Sequence, residues 1–154
     1  MTDLLDKQTQ NRNWLIQKDL KYDTNNFWVN VDGKIAYIGL TDYGQWTIGD
    51  VLYLDLEPEG TAIVKGQKFG SIESGKWVGN LLSPVDGVIE KNNALVLANP
   101  QQINIDPYGA GWIIRAELES EKAAESLLDY MVYALWVEKQ VERDSLQYGE
   151  MATH

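Results

Sequence analysis

Gly70-Ser71-Ile72-Glu73-Ser74-Gly75-Lys76-Trp77-Val78-Gly79-Asn80, continued by Leu81-Leu82-Ser83-Pro84-Val85-Asp86-Gly87-Val88-Ile89, is the stretch that decides the reading of this chain. A single lysine, Lys76, stands among small turn-forming residues between two apolar segments. Gly75 and Gly79 offer the positive φ that a hairpin tip often needs. A lysine at such a tip is exposed and within reach of a modifying enzyme. Taken alone, the spacing is more often that of an ordinary solvated loop lysine. A weak internal repeat points the other way. Lys65-Gly66-Gln67 to Ile72 and Pro84-Val85-Asp86-Gly87 to Ile89 are similar strand-like segments on either side of Glu73–Asn80. A tight turn between them places Lys76 at the tip.

Outward from this stretch the pattern is that of short strands. Phe27-Trp28-Val29-Asn30-Val31 and Lys34-Ile35-Ala36-Tyr37-Ile38-Gly39-Leu40 flank Asp32-Gly33, a hairpin signal. Thr41-Asp42 offers a helix N-cap and Gly49 a stop, giving one short helix over 42–48 with Tyr43 and Trp46 on it. Val51–Leu56 reads as a further strand, Glu57-Pro58-Glu59-Gly60 as a turn, and short strands continue to Leu118. This rhythm predicts an all-β sandwich or barrel and not βαβ units. From Ser120 the period becomes helical. Leu127, Leu128, Met131, Val132, Leu135 and Trp136 form one apolar stripe, expected to pack on the β core. Residues 1–24 are polar with one apolar patch at Trp14-Leu15-Ile16, expected as an arm or a short packed helix.

Composition removes most enzyme classes. The chain has 154 residues, a net charge of −10 and no cysteine. An acidic surface repels a phosphate backbone, so no nucleic-acid partner is expected. Without cysteine there are no disulfides, thiol nucleophiles or cysteine-ligated metals. The one histidine is His154, the last residue, which leaves no Ser-His-Asp triad and no histidine metal cluster. No apolar run approaches the length of a membrane span, and the beginning of the sequence lacks a secretory pattern. The expectation is a cytoplasmic protein with no membrane partner and no catalytic residue.

The central segment resembles the lipoylation hairpin of the glycine cleavage H-protein family, in which Glu-Ser-x-Lys is followed by a strand and Ser-Pro-x-x-Gly. Here these are Glu73-Ser74-Gly75-Lys76 and Ser83-Pro84-Val85-Asp86-Gly87. Further family-like motifs follow the same order: Ile38-Gly39-Leu40-Thr41-Asp42-Tyr43, Gly49-Asp50-Val51, Asn93-Ala94-Leu95, Ile103-Asn104 and Pro107-Tyr108-Gly109-Ala110-Gly111-Trp112. The resemblance spans about Phe27 to Leu118. It implies a mainly β, lipoyl-domain-like barrel-sandwich hybrid with one short helix and a longer C-terminal helix. The expected organisation is an arm over 1–25, the lipoyl domain over 26–119, the helix over 120–145 and a tail over 146–154.

The resemblance further implies a carrier without catalysis of its own, with lipoic acid amide-linked to Lys76 and with Glu73, Ser74, Gly75 and Trp77 forming the hairpin around it. A lysine amine is a poor nucleophile when protonated, so a lipoate ligase or lipoyl transferase must supply activated lipoate. The amide removes the charge, and the dithiolane ring opens by thiol exchange or reductive transfer. Three positions depart from the family pattern: Gly75 before the lysine, Trp77 after it, and Asn26 before Phe27-Trp28. In these the chain is closer to the lipoate-binding proteins of bacterial sulfur oxidation, whose client is a heterodisulfide-reductase-like complex. The alternative is an H protein carrying an aminomethyl group among the glycine cleavage enzymes. A second alternative is a non-lipoylated structural subunit of the same fold. Biotin carriers set their lysine between methionines, which Gly75 and Trp77 do not match. Asp144-Ser145-Leu146, although similar to a phosphopantetheine site, falls in the wrong fold context.

Overall fold

The computed structural model describes residues 14–152, with side chains placed through residue 146. Strands β1 (Lys21–Tyr22), β2 (Phe27–Asp32) and β3 (Ile35–Leu40) lead to helix α1 (Asp42–Ile48). Then come β4 (Val51–Leu56), β5 (Ala62–Ile63), β6 (Lys68–Ser74), β7 (Val78–Leu82) and β8 (Gly87–Asn92). Two short helices, α2 (Ala94–Ala98) and α3 (Gln102–Ile105), precede β9 (Ile114–Leu118), a 3-10 turn (Glu121–Ala124) and helix α4 (Tyr130–Ala152).

The strands form a six-stranded sheet in the order β1-β2-β3-β9-β8-β5 and a three-stranded sheet in the order β4-β6-β7. All pairs are antiparallel. The Asp32-Gly33 hairpin forms as the sequence predicts: Asp32 pairs with Ile35, and Gly33 supplies a φ of 62°. Alternation selects the core. In β9, Ile114, Ala116 and Leu118 are buried, while Arg115 and Glu117 face outward. The two sheets meet over Val29, Ile38, Val51, Ile72, Leu81 and Ile89. Phe27 of the large sheet and Phe69 of the small one touch with ring centroids 5.7 Å apart. Each such fully buried side chain stabilises the fold by ~1.5–3 kcal/mol.

The C-terminal helix differs from its expected course. Ser120 does cap a helical turn, accepting from the Lys122 amide, but only the 3-10 turn follows. The chain then descends so that Leu128 pairs with Tyr22 by two backbone bonds of 2.8 Å. Asp129 restarts the helix; its carboxylate accepts from the Val132 amide at 2.9 Å. The packed face is accordingly rotated. Tyr133 and Val137 are buried, with Tyr130, Trp136 and Val141 packed against them, whereas Met131, Val132 and Leu135 of the expected stripe are exposed. Of the N-terminal arm, residues 1–13 lie outside the described part. Trp14-Leu15-Ile16 form no helix; the extended segment is pinned instead by Tyr108, whose hydroxyl donates to the Leu15 carbonyl at 2.6 Å.

Candidate functional site

Helix α1 sets the floor of the site. Thr41 caps it by accepting from the Gly44 amide at 2.9 Å, and Gly49 ends it with φ 81°. The Thr41 hydroxyl and the Tyr133 hydroxyl of α4 are 2.7 Å apart, and Tyr133 donates to Asn26 Oδ1 at 2.7 Å. Since the phenol has one proton, Thr41 donates to Tyr133. Burial pushes the Tyr133 hydroxyl well above the ordinary tyrosine range. Asn26 itself takes a positive φ of 69°, a conformation asparagine tolerates, and crowds Gly44, where a Cβ would lie 2.6 Å from its own. The Asn26 departure from the family pattern is thus a structural joint between α4, α1 and β2.

At the other end of α1, Asn104 ties down the loop. Its side-chain amide donates to the Gly49 carbonyl at 2.9 Å and to Gln45 at 3.0 Å, and its oxygen accepts from the Val51 amide at 2.9 Å. The β6–β7 hairpin stands on this loop. Ser74 closes it: its amide donates to the Trp77 carbonyl at 2.8 Å, and its hydroxyl oxygen accepts from the Trp77 amide at 3.0 Å and the Lys76 amide at 3.3 Å. The same hydroxyl donates to the Ile48 carbonyl at the end of α1. Ser74 is buried, and the exposed turn above it is hydrogen-bonded from beneath.

Lys76 lies at the tip and is exposed. Among the described residues it makes no ion pair. Its stem crosses Gly49, with Cε 3.0 Å from where a Cβ on that glycine would be, and its Nζ lies 5.6 Å from the ring centroid of Trp46. Trp77 keeps 41% exposure, yet its indole folds down onto Gly79, occupying the space a Cβ there would need. Glu73 is exposed on the outer face of the small sheet, in register with Tyr53 and Val78, which are 67% and 71% exposed. Gly75 has open space around it, and neither it nor Gly79 takes a positive φ. The turn reaches its shape through the Ser74 hydroxyl instead.

Beside the hairpin a cleft of about 450 Å3 opens, with Phe27, Ile72 and Leu81 at its base and Thr47, Trp77 and Asn80 along it. None of the residues lining it is charged. Among the described residues no His/Cys/Asp/Glu group is arranged to hold a metal. No helix there is long and apolar enough to cross a membrane. The site offers an accessible primary amine on a braced turn, with aromatic surface around it.

Glu73, Ser74, Gly75, Lys76 and Trp77 lie together on the β6–β7 hairpin, as the sequence predicts. Trp46, Gly49 and Asn104 join the site without a motif that marks them as part of it. The available signal was the short helix itself: Trp46, three residues after Tyr43, lies beside it with ring centroids 6.5 Å apart, yet stays exposed next to the Gly49 stop.

The glycine cleavage H-protein family profile matches residues 20–140. The glycine cleavage system H protein of Carboxydothermus hydrogenoformans is 38% identical over 128 residues, covering 83% of this chain and 98% of that protein. The H protein of Bacteroides thetaiotaomicron is 40% identical, with 75% and 92% covered. The mitochondrial H protein 2 of Arabidopsis thaliana is 37% identical, with 82% and 81% covered. The crystal structure of a glycine cleavage system H protein from Mycobacterium marinum superposes with a TM-score of 0.72 at 27% identity, over 77% of this chain and 96% of that one.

Proposed function

This chain belongs to the glycine cleavage H-protein family, whose members are non-catalytic carriers of lipoic acid bound covalently to a lysine, and on that premise we propose that Lys76 is the attachment site. The observation that carries the assignment is the tip geometry. Lys76 is exposed on a turn whose shape is fixed from beneath by Ser74. An acylating enzyme can reach such an amine without unfolding anything, and a braced tip presents it in one orientation. The bound group supplies a ring disulfide able to accept and release cargo by exchange. The chain supplies position: Ser74 holds the turn, Gly49 and Asn104 hold the loop beneath it, and the missing cysteine removes competing thiols.

The partners in this reading are a lipoate ligase or lipoyl transferase and the glycine cleavage enzymes. The relatives' names support that client set over the sulfur-oxidation set to which Gly75, Trp77 and Asn26 point. One observation favours the second reading. A cleft lined by no charged side chain offers no carboxylate to a cationic cargo. A heterodisulfide-reductase-like client remains the alternative on that ground.

Two experiments test these readings. Purified from its native host, the protein gains the lipoyl increment of about 188 Da on the peptide containing Lys76; an unmodified Lys76 there contradicts the carrier assignment. In a reconstituted glycine cleavage assay the lipoylated protein supports glycine-dependent NADH formation. Failure of that assay, with reductive loading by a sulfur donor, moves the assignment to sulfur transfer.

A further inference from the structure

The Lys76 side chain does not stand out from the tip. It lies down across Gly49, and its Nζ hangs over Trp46. The crossing depends on glycine: at φ 81° any side chain is strained, and its Cβ would press on the lysine stem at 3.0 Å. Trp46 in turn is a fixed plate. One side packs on Trp14, with centroids 4.8 Å apart, and Trp14 packs edge-on against Tyr43 at 5.2 Å. Tyr43 meets Trp136 of α4 at 6.4 Å, and Trp136 stacks on Tyr133 at 5.7 Å. A run of rings thus extends from the buried core to an indole that is still 48% exposed. An exposed tryptophan held this firmly presents a large apolar face at little further ordering cost.

We propose that this face of Trp46 is a resting site for the lipoyl arm on the carrier's own surface, binding its apolar chain and dithiolane sulfurs. The inference rests on Lys76 being the attachment site. The arm begins at Nζ, so its first atoms are already over the ring. Amide formation abolishes the positive charge and with it the cation–π attraction that holds the free lysine there. What replaces it is contact of methylenes with the indole face and of soft sulfur with aromatic carbon. Neither Lys76 nor Trp46 lines the uncharged cleft, so the plate and the cleft are separate places for the arm. A carrier that visits several enzymes benefits from a weak site that keeps the ring accessible between visits.

The test uses the full chain, lipoylated in vitro, with the modification on Lys76 verified by mass before any spectrum is taken. Proton NMR then compares arm methylene resonances with those of lipoamide free in solution. The expected result is an upfield ring-current shift of the arm methylenes and nuclear Overhauser contacts to the Trp46 indole. Both are lost in Trp46→Leu and kept in Trp77→Phe. Wild-type methylenes at their free-lipoamide positions, or contacts only to Phe27 and Leu81 in the cleft, overturn the proposal and leave the attachment site standing. Absence of the mass increment on Lys76 overturns both.

Discussion

At the N-terminal end of α1, Tyr133, Thr41 and Asn26 close a joint in which every hydroxyl and amide oxygen is partnered and buried or nearly so. At its C-terminal end, Lys76 lies across Gly49 with its amine open to solvent. One seven-residue helix separates a region that holds the fold from a region that the fold merely positions. The contrast teaches where substitutions act. Changes at the joint are read out as stability, because they strand buried polar atoms or open a cavity. Changes at the tip are read out as chemistry, because the tip side chains bury little.

The contrast is sharpest at Tyr133. Tyr133→Ala removes a buried ring stacked on Tyr22 at 4.5 Å and orphans Asn26 and Thr41. The expected loss is ~3–5 kcal/mol, measured by urea unfolding. Tyr133→Phe keeps the ring and loses only the hydroxyl, at ~1–2 kcal/mol. If both variants unfold at the wild-type midpoint, α4 does not brace α1.

Next comes Gly111. Neither it nor Gly109 takes a positive φ. Gly109 instead lies against the Asp106 carboxylate, and a Cβ on Gly111 would lie 2.5 Å from the Gln102 carbonyl oxygen and 2.6 Å from that of Asp106. Both atoms are backbone, so Gly111→Ala costs ~1–3 kcal/mol through forced displacement, read as a lower thermal midpoint. A neutral alanine would mean that the α3 turn yields freely.

A smaller effect belongs to Asp23, which leads into the Asn26 joint. Burial pushes its carboxyl up to about 6, against bonds from the Phe27 and Asn25 amides that pull the other way. A carboxyl raised in the folded state favours folding below its unfolded pKa, and that contribution is lost as pH rises through about 6. Asp23→Asn keeps an oxygen acceptor for both amides and removes the charge. Its stability relative to wild type therefore climbs between about pH 4 and 6 and stays higher at pH 7, by on the order of 1–2 kcal/mol. Parallel pH profiles for the two proteins would contradict this.

At the tip, Glu73→Gln changes stability by less than ~0.5 kcal/mol and slows in vitro lipoylation, because a ligase approaching Lys76 meets the outer face on which Glu73 lies. An unchanged rate makes Glu73 a solvated strand carboxylate and nothing more.

Much of this was legible in the sequence because local chemistry and tertiary structure agreed. Asp32-Gly33 turned a hairpin, Thr41 and Gly49 bounded α1, and the β6–β7 turn put Lys76 at its tip. The misses share a cause: partners distant in sequence. Ser120 caps only the 3-10 turn, because Leu128 first pairs with Tyr22 and Asp129 then starts the long helix. Gly75 and Gly79 suggested left-handed backbone, but neither takes it; Gly79 is small to admit the Trp77 indole, as Gly111 is small to clear two carbonyls. Trp46 could not be seen as part of the site until Gly49 was known to pass the lysine stem beneath it.

The central claim is that Lys76 is a functional group on a fold that does not need it. Lys76→Arg keeps the positive charge over Trp46 and removes the acylatable amine. Intact mass after incubation with a lipoate ligase and activated lipoate, taken together with the urea midpoint, decides the matter. The account predicts a gain of about 188 Da for wild type, none for Lys76→Arg, and the same midpoint for both. A modified Lys76→Arg protein, or one whose stability falls as far as that of Tyr133→Ala, would contradict it.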